Sequence, residues 1–548
     1  MLQKIQHEKH PHAALAARRW AELKTERSPM EADWEEIARL IRPQRGGFSS
    51  DRLRDRQHKK PLSSAPIRAQ SNFAAGLYGT LTNPANEWMR IKTGDDDLNR
   101  WPPMAEWNEL VSMRVLRSFM PANSSFYDAV MPLFSDIAAF GNAAQYDEID
   151  TARRKIRDVT ISLSEVVCDI DAYGFVSEVV RRFHLKPAAA VEMFGADVLP
   201  PKIVELARKH SNDLHAYLHH VGSNRDYRRG SIGPRGKRWF SRYAMEAEGW
   251  LIRDRGYEEM PFYVPRWEVE TGFTWGTGPG FTALASTRAH HQMDAATLRA
   301  AQRAADPTIL APDRNAWPLQ GAVRPGHVVY GGVSMRGEPL MMPLATTGQI
   351  GLTLEEKAEK KREIEEAFYW SLMNLAGRTG LSPMEVAQIE AERTRLWAPN
   401  MGRIQHEFLA PKIERRFRLL WRAGQIPPPP ETGQRDVPML VEYTSAAAMA
   451  QKADQRMRIV QLLHDVTPLS QIDPRYMDRI EPDDVIETLH ESLGAPARML
   501  RTREEADKVA EQRQQAQQGA AMMQMAQQGA GAMKDAAGAM AALEGGGA

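Results

Sequence analysis

The order of helices and helix breakers between Gly278 and Gly424 constrains the fold most strongly. From Phe281 to Ala305 breakers are few, and Leu284, Arg288, His291, Ala295, Leu298 and Gln302 recur at steps of three and four, as along one helix face. Asp306-Pro307 ends this helix, because a residue before proline is pushed out of the helical region. Thr308 to Thr347 carries proline or glycine at short intervals, around apolar runs such as His327-Val328-Val329-Tyr330 and Leu340-Met341-Met342. That pattern predicts a compact insert of short strands and turns. Helix resumes at Thr353, where Thr353 and Glu356 fit a capping box, and Ile364, Phe368, Leu372 and Leu375 form its apolar stripe. Gly377-Arg378-Thr379-Gly380 is too rich in glycine to continue it. Ser382-Pro383-Met384-Glu385 restarts helix with a hydroxyl cap, a proline and a carboxylate. A last helix from Met401 to Gly424 is expected to bury Ile404, Phe408, Ile413, Phe417 and Leu420 and to bend at Pro411. The unit is a helical hairpin with an insert.

The flanks are mixed. Ala13 to Thr25 and Ser28 to Ile41 read as two helices, the second opened by Ser28-Pro29-Met30-Glu31. Pro43 to Pro66 is polar, with Arg52, Arg54, Arg56, Lys59 and Lys60 clustered in what reads as a solvated loop. Small-residue helix is expected from Ile67 to Leu81, a strand from Trp88 to Ile91, and helices over Trp101–Met120 and Ser125–Phe140. From Asn142 the period changes to two, and Asp171-Ala172-Tyr173-Gly174 marks a hairpin before a strand over Phe175–Phe183. Short helices follow at Ala188–Phe194 and Val198–Lys209. Strands are expected over Leu214–Val221, Tyr243–Ile252 and Met260–Trp267. The basic segment Arg225–Arg238 reads as an exposed turn, not a nucleic-acid groove, for want of interleaved aromatics. Beyond Gly424 come a four-proline spacer, a strand over Val437–Tyr443, and helices over Ser445–His464 and Pro482–Ser492. A Gln-, Ala- and Met-rich stretch, Val509 to Met540, would be a weak helix unless neighbours pack on it.

Chemistry is sparse. Trp275-Gly276-Thr277-Gly278-Pro279-Gly280 imitates a phosphate-cradling loop but lacks the Lys-Ser/Thr that completes one. His219-His220 and His290-His291 are adjacent pairs whose rings diverge, a poor geometry for one metal. Asp95-Asp96-Asp97 reads as an exposed loop. Cys168 is the lone cysteine, so an intrachain disulfide and a cysteine zinc site are excluded. No cofactor, metal or catalytic residue is expected. The formal charge of +1 over 548 residues argues against tight phosphate binding, though a surface along which DNA slides would also avoid net stickiness. The first residues show no apolar signal core, and no run is long enough to span a bilayer, which predicts neither secretion by that route nor a membrane protein.

Several features taken together resemble the portal, or head-to-tail connector, proteins of short-tailed bacteriophages (podoviruses). They are the Trp275-Gly276-x-Gly278-Pro279 lead, the insert, Phe368 and Tyr369, Arg378-Thr379-Gly380, Gly402-Arg403-Ile404-Gln405 and Phe408-Leu409-x-Pro411. Ser28-Pro29-Met30-Glu31, Phe140-Gly141-Asn142-Ala143 and the Gln/Met/Ala-rich tail belong to the same pattern. The resemblance implies an α+β, mainly helical portal fold in a homo-oligomeric ring of about twelve copies at one capsid vertex. Residues 1–278 would form the wing, 279–305 and 351–376 the two stem helices, and 306–350 the clip. Residues 377–382 would be the tunnel loop, 383–443 further wing helices and strand, 444–500 the crown, and 501–548 a C-terminal barrel helix and tail.

The implied function is a channel for double-stranded DNA in packaging, retention and ejection. It would dock terminase, then tail adaptor or nozzle proteins, and would meet capsid, scaffolding and internal core proteins. The implied place is the virion, after assembly in the host cytoplasm. Arg378, Thr379, Gly377 and Gly380 would face DNA. Lys357, Lys360, Lys361, Arg288 and Arg299 are the candidate channel-lining stem residues. Trp317, Arg324, His327, Tyr330 and Arg336 are the candidate clip contacts. A nucleotide- or metal-dependent packaging enzyme would need a P-loop or acidic triad, and a non-channel adaptor or scaffold would not need a glycine-bounded arginine loop.

Overall fold

The computed structural model describes residues 10–45, 48, 62–151, 153–305, 309–310, 333–339, 342–343, 350–370, 399–431, 439–443, 446–470, 480–493, 499–501, 505–519 and 522. The chain divides into two compact units, Met1–Trp88 with Val115–Gln425, and Met89–Arg114 with Ile426–Ala548.

In the first unit, helices α1 (Pro11–Leu40), α2 (Ala65–Leu81) and α3 (Phe126–Phe140) lead into strands β1 (Ala144–Asp150), β2 (Lys155–Ile161), β3 (Val166–Ile170) and β4 (Val176–Leu185). Two short helices, α4 (Pro187–Phe194) and α5 (Pro201–Arg208), precede β5 (His215–Ser223), β6 (Trp239–Met245), β7 (Trp250–Tyr257) and β8 (Phe262–Tyr263). The hairpin helices are α6 (Pro279–Ala305) and α7 (Ile350–Ala367), and α8 (Ala410–Arg422) closes the unit.

Strands β3 to β7 form a five-stranded antiparallel sheet in sequence order. Alternation along each strand gives the sheet two apolar faces, and both are covered. Ala16, Trp20 and Leu23 of α1 pack on Val167, Val180 and Leu218. Ala190, Phe194 and Ile203 of the short helices pack on Phe183, Tyr217, Tyr243 and Met245 on the other side. A second sheet has the order β2-β1-β8.

In the first unit the bounds of four expected elements change. The two helices expected before Ile41 are one continuous α1 with Pro29 inside it. Ser28 Oγ donates to the Thr25 carbonyl at 2.8 Å instead of capping a new start. Burial on both sides of the proline, at Leu23, Arg27, Trp34 and Ile37, holds the helix together across it. The strand expected over Tyr243–Ile252 is two strands, β6 and β7, joined by a turn in which Gly249 has φ 58°. Of Met260–Trp267 only Phe262–Tyr263 is strand. Helix α7 starts at Ile350, so Thr353 is not its cap, and it runs to Ala367 before a turn at Phe368-Tyr369; residues 371–376 lie outside the described residues.

In the second unit, Met89–Thr93 pairs antiparallel with Met439–Tyr443, with Ile91 opposite Val441. The Ile91 N–H donates to Ser112 Oγ at 2.8 Å, and Trp107 Nε1 donates to the Pro427 carbonyl at 3.0 Å. Helix Ala446–Ser470 packs against Pro482–Leu493. Asp95 Oδ1 accepts from the backbone N–H groups of Asp97 and Leu98, so the acidic triplet caps a short helix.

Candidate functional site: a helical hairpin on a glycine joint

The hairpin leaves the body through a contact made of backbone. Helix α3 ends at Gly141, whose φ of 70° is a conformation that glycine adopts without strain. The strand-like segment ahead of α6 lies directly on this cap. A Cβ at Gly141 would stand 2.2 Å from the Thr277 carbonyl carbon, one at Gly278 2.6 Å from Gly141 Cα, and one at Gly280 2.0 Å from the Ala139 oxygen. Asn142 is fully buried and stitches the joint: its Nδ2 donates to the carbonyls of Phe140 (2.9 Å) and Gly276 (2.7 Å), and its Oδ1 accepts from Gly276 N–H (2.8 Å). Glu268 and Thr277 exchange backbone hydrogen bonds at 3.1 and 2.8 Å. Trp275 meets Trp34 edge-on at 5.3 Å, and the buried Arg27 guanidinium lies 6.0 Å from both rings. The glycines expected to lead into the helix therefore serve close packing, and the Gly276 N–H is taken up by Asn142.

Helix α7 returns against α6 and ends on an aromatic stack. Ile364 and Phe368 are fully buried. Tyr369 has φ 52°, unusual for a bulky residue, and stacks on Phe73 at 5.8 Å, while Trp267 meets the other side of the cluster at 5.3 Å. Between the helices Lys357 Nζ pairs with Asp294 Oδ1, whose other oxygen is 3.3 Å from His290 Nδ1. Burial, the largest influence, lowers the His290 pKa, with Lys357 and Lys361 acting in the same direction. Glu363 accepts from Ser286 across the hairpin and pairs with Lys360 at 2.5 Å. Arg288 pairs with Glu36 of α1.

A third element is locked to the body by buried charge. Lys412, Arg415 and Arg416 lie on one face of α8 and are 4 % exposed or less at their side chains. They meet Asp147 and Asp158, directly opposite each other on β1 and β2 and likewise buried. Lys412 Nζ is 2.7 Å from Asp158 Oδ1 and 2.6 Å from Gln145 Oε1. Arg415 Nε is 2.7 Å from Asp147 Oδ1, and Arg416 NH2 is 2.6 Å from Asp158 Oδ2. Burial alone would raise the Asp158 pKa, but Lys412 and Arg416 overcome it and hold the carboxyl at about 2. A π-helical turn, Gln405–Leu409, precedes α8, in which Pro411 stands in the first turn, where its missing N–H costs no helical hydrogen bond. Within the π-helical turn Glu407 accepts from the Arg266 backbone N–H and forms a two-pronged pair with its guanidinium, at 2.7 and 3.1 Å.

The expected residues fall in different places. Gly377, Arg378, Thr379, Gly380, Trp317, Arg324, His327 and Tyr330 lie outside the described residues. So do Ser382–Glu385 and the Arg52–Lys60 cluster. Arg336 is exposed on a turn where Ser334 N–H donates to the Glu338 carbonyl. Of the five stem candidates, Arg299 is exposed, while Arg288, Lys357, Lys360 and Lys361 are each beside a carboxylate. The adjacent histidines do point apart. His219 stacks on Tyr243 at 3.9 Å on one sheet face, and His220 reaches Glu178 at 2.5 Å on the other. Among the described residues no cluster of His, Cys, Asp and Glu could hold a metal, and no helix is long and apolar enough to cross a membrane.

Sequence reasoning missed the charges of α8. It expected Phe417 and Leu420 on the buried face, and both are half-buried, while Lys412, Arg415 and Arg416 go inside. The available signal was the i, i+3, i+4 spacing of three cations beside a period-two segment carrying Asp147 and Asp158.

Comparison with known proteins supplies the context. Over 504 residues the chain is 25% identical to the portal protein of Salmonella phage epsilon15, covering 90% of this chain and 89% of that protein. The probable portal protein of Bordetella phage BPP-1 is 25% identical over 495 residues, 88% of this chain and 87% of its own length. A chain from the neck of an empty gene transfer agent particle aligns with TM-score 0.35 and 13% identity over 72% of this chain and 86% of that one, too distant to establish a shared fold. Residues 13–500 match the family described as bacteriophage head to tail connecting protein. That match takes in the glycine joint, the hairpin and the buried charges of α8, and the chain belongs to this family of bacteriophage head-to-tail connectors, which are structural proteins and not enzymes.

Proposed function

We propose that the chain assembles into a ring of about twelve copies at one capsid vertex and forms the channel through which double-stranded DNA is packaged, retained and ejected. The observation that carries this reading is end-to-end similarity to proteins named portal proteins, 90% of this chain against 89% of one of them. The hairpin of α6 and α7 would be the stem, the insert between them the clip that meets terminase and then tail adaptors, and Gly377–Gly380 the tunnel loop. Residues 444–500 would be the crown and 501–548 the barrel. Capsid, scaffolding and internal core proteins would be neighbours. The protein would reside in the virion after assembly in the host cytoplasm.

The charge pattern of the stem suits that task. Lys357, Lys360, Lys361 and Arg288 are each partly neutralised by a carboxylate. A wall of paired charges offers passing phosphates only weak contacts, and a surface that neutralised many phosphates would instead hold the duplex. Arg378 would supply the one concentrated ring of charge. Arg378→Ala particles are expected to package DNA and then leak it, and particles that retain DNA as wild type does would remove this role.

The channel itself is tested by native mass spectrometry with end-on electron-microscopy averages. A twelve-copy ring of the 61.7 kDa chain weighs about 740 kDa and shows a central hole. A monomer or dimer in the presence of scaffolding protein would refute the channel.

A further inference from the structure

The loop between β5 and β6 concentrates charge that the connector reading leaves unused. Between Asn224 and Arg238 stand Arg225, Arg228, Arg229, Arg235, Lys237 and Arg238 against one carboxylate, Asp226, in a chain whose formal net charge is +1. Among the described residues only Lys237 of these six is in an ion pair, with Glu258 at 2.7 Å. The five arginines are exposed.

The loop is folded. Asn224 N–H donates to the Arg238 carbonyl at 2.8 Å, and Asn224 Nδ2 to the carbonyls of Pro234 (2.9 Å) and Lys237 (2.8 Å). The Arg228 N–H donates to the Arg235 carbonyl at 2.8 Å, so Arg228-Arg229 on one arm stands across from Arg235 on the other. Gly230 and Gly233 turn the tip at φ 83° and 87°, and Gly236 approaches so closely that a Cβ there would be 1.8 Å from the Ser231 oxygen. These hydrogen bonds are made by the backbone and by Asn224, which leaves the guanidinium groups unengaged.

We propose that this loop is a docking surface for the phosphate backbone of duplex DNA. Guanidinium groups present paired donors that match phosphate oxygens, and a folded loop has already lost the chain entropy that a floppy basic tail would lose on binding. Tyr227 does stand among the arginines, but a lone aromatic gives little stacking surface for single-stranded bases, so the duplex is the better fit. The preference for DNA over an acidic protein segment rests on the connector function proposed above.

The test uses the full-length protein, a labelled duplex of arbitrary sequence and anisotropy titrations across a salt series. Arg228→Ser/Arg229→Ser/Arg235→Ser is expected to weaken duplex binding at least tenfold at low salt. It should also flatten the plot of log K against log salt by about 0.9 for each phosphate no longer neutralised, up to about 3. Lys202→Ser/Arg208→Ser/Arg154→Ser removes the same charge from other exposed positions and should bind as wild type does. An unchanged salt slope in the loop variant, an equal loss in the control, or selective loss of polyglutamate binding with duplex binding intact overturns the proposal. Should the triple variant lower the melting temperature, Arg225→Ser/Arg229→Ser is read in its place. Wild-type rings whose duplex binding ignores the loop refute the docking surface alone. Failure of the wild type to form rings refutes the channel and leaves the loop titration readable.

Discussion

Replacing Gly280 with alanine tests whether the backbone joint aims the hairpin. A Cβ there would lie 2.0 Å from the Ala139 oxygen and 2.8 Å from its carbonyl carbon. Ordinary contact begins at 3.4 Å, so α6 must retreat from α3 by about 1.4 Å at this point. The obstacle is backbone inside a hydrogen-bonded helix end, so no side-chain rotation relieves it. Across a helix about 10 Å wide, a 1.4 Å lift at one edge tilts the axis by about 8°. Helix α6 has 27 residues, which at 1.5 Å rise each is about 40 Å, so the far end swings by about 5 to 6 Å. Overpacking of this kind costs about 1 to 3 kcal/mol, and folded domains hold about 5 to 15 kcal/mol. The variant is therefore expected to fold, melt a few degrees lower and fail to form rings. The matched control is Gly79→Ala, in an exposed position of α2 with no atom within 4 Å of the new Cβ, which should be neutral or slightly stabilising. Thermal melts and native mass spectrometry read both variants. A Gly280→Ala protein that melts and assembles as wild type does would show that the joint yields, and the packing reasoning would be wrong.

Asp158→Asn leaves Lys412 and Arg416 buried with too little negative charge and should destabilise the first unit by about 3 to 5 kcal/mol in denaturant unfolding. The Asp158 carboxyl lies at about 2 against an ordinary 3.8, so its contribution of about 2 kcal/mol is complete above the unfolded value and is lost as pH falls from about 4 to about 2. Burial would raise the Glu178 pKa, but His220 and Arg19 outweigh it and hold it at about 2 against an ordinary 4.5, so its contribution is present above about pH 4.5 and is lost as pH falls towards about 2. Denaturation midpoints that stay constant from pH 6 to pH 3 would contradict both. Lys357→Met removes a cation that helps lower the His290 pKa and should move the His290 titration upward, which proton NMR of the imidazole follows. Burial pushes the Cys168 thiol up to about 12, so thiol reagents should label the native protein only at the rate of unfolding.

Sequence patterning carried most element types, because helical and strand periods are local. Ala65–Leu81, Phe126–Phe140, Pro279–Ala305 and Pro482–Leu493 fall within a few residues of where spacing and breakers put them. It failed where a local signal was outvoted. Ser28-Pro29 looks like a helix start, but core packing on both sides of Pro29 keeps α1 whole. Gly249 was read through as strand because the flanking apolar residues keep alternating across the turn.

By itself the sequence determined the succession of helices, insert and strands, the positions of the breakers, and the absence of familiar catalytic motifs. The order of its motifs was enough to suggest the family. Only the tertiary structure decided that Met89–Thr93 pairs with Met439–Tyr443, that glycines 141, 278 and 280 form one joint, and that three cations of α8 go inside against Asp147 and Asp158. Each of these joins residues more than a hundred positions apart, and each depends on excluded volume or on charge neutralised in a dry interior. A periodicity read along the chain contains neither distance nor burial, so it ranks a buried Arg416 with a solvated one.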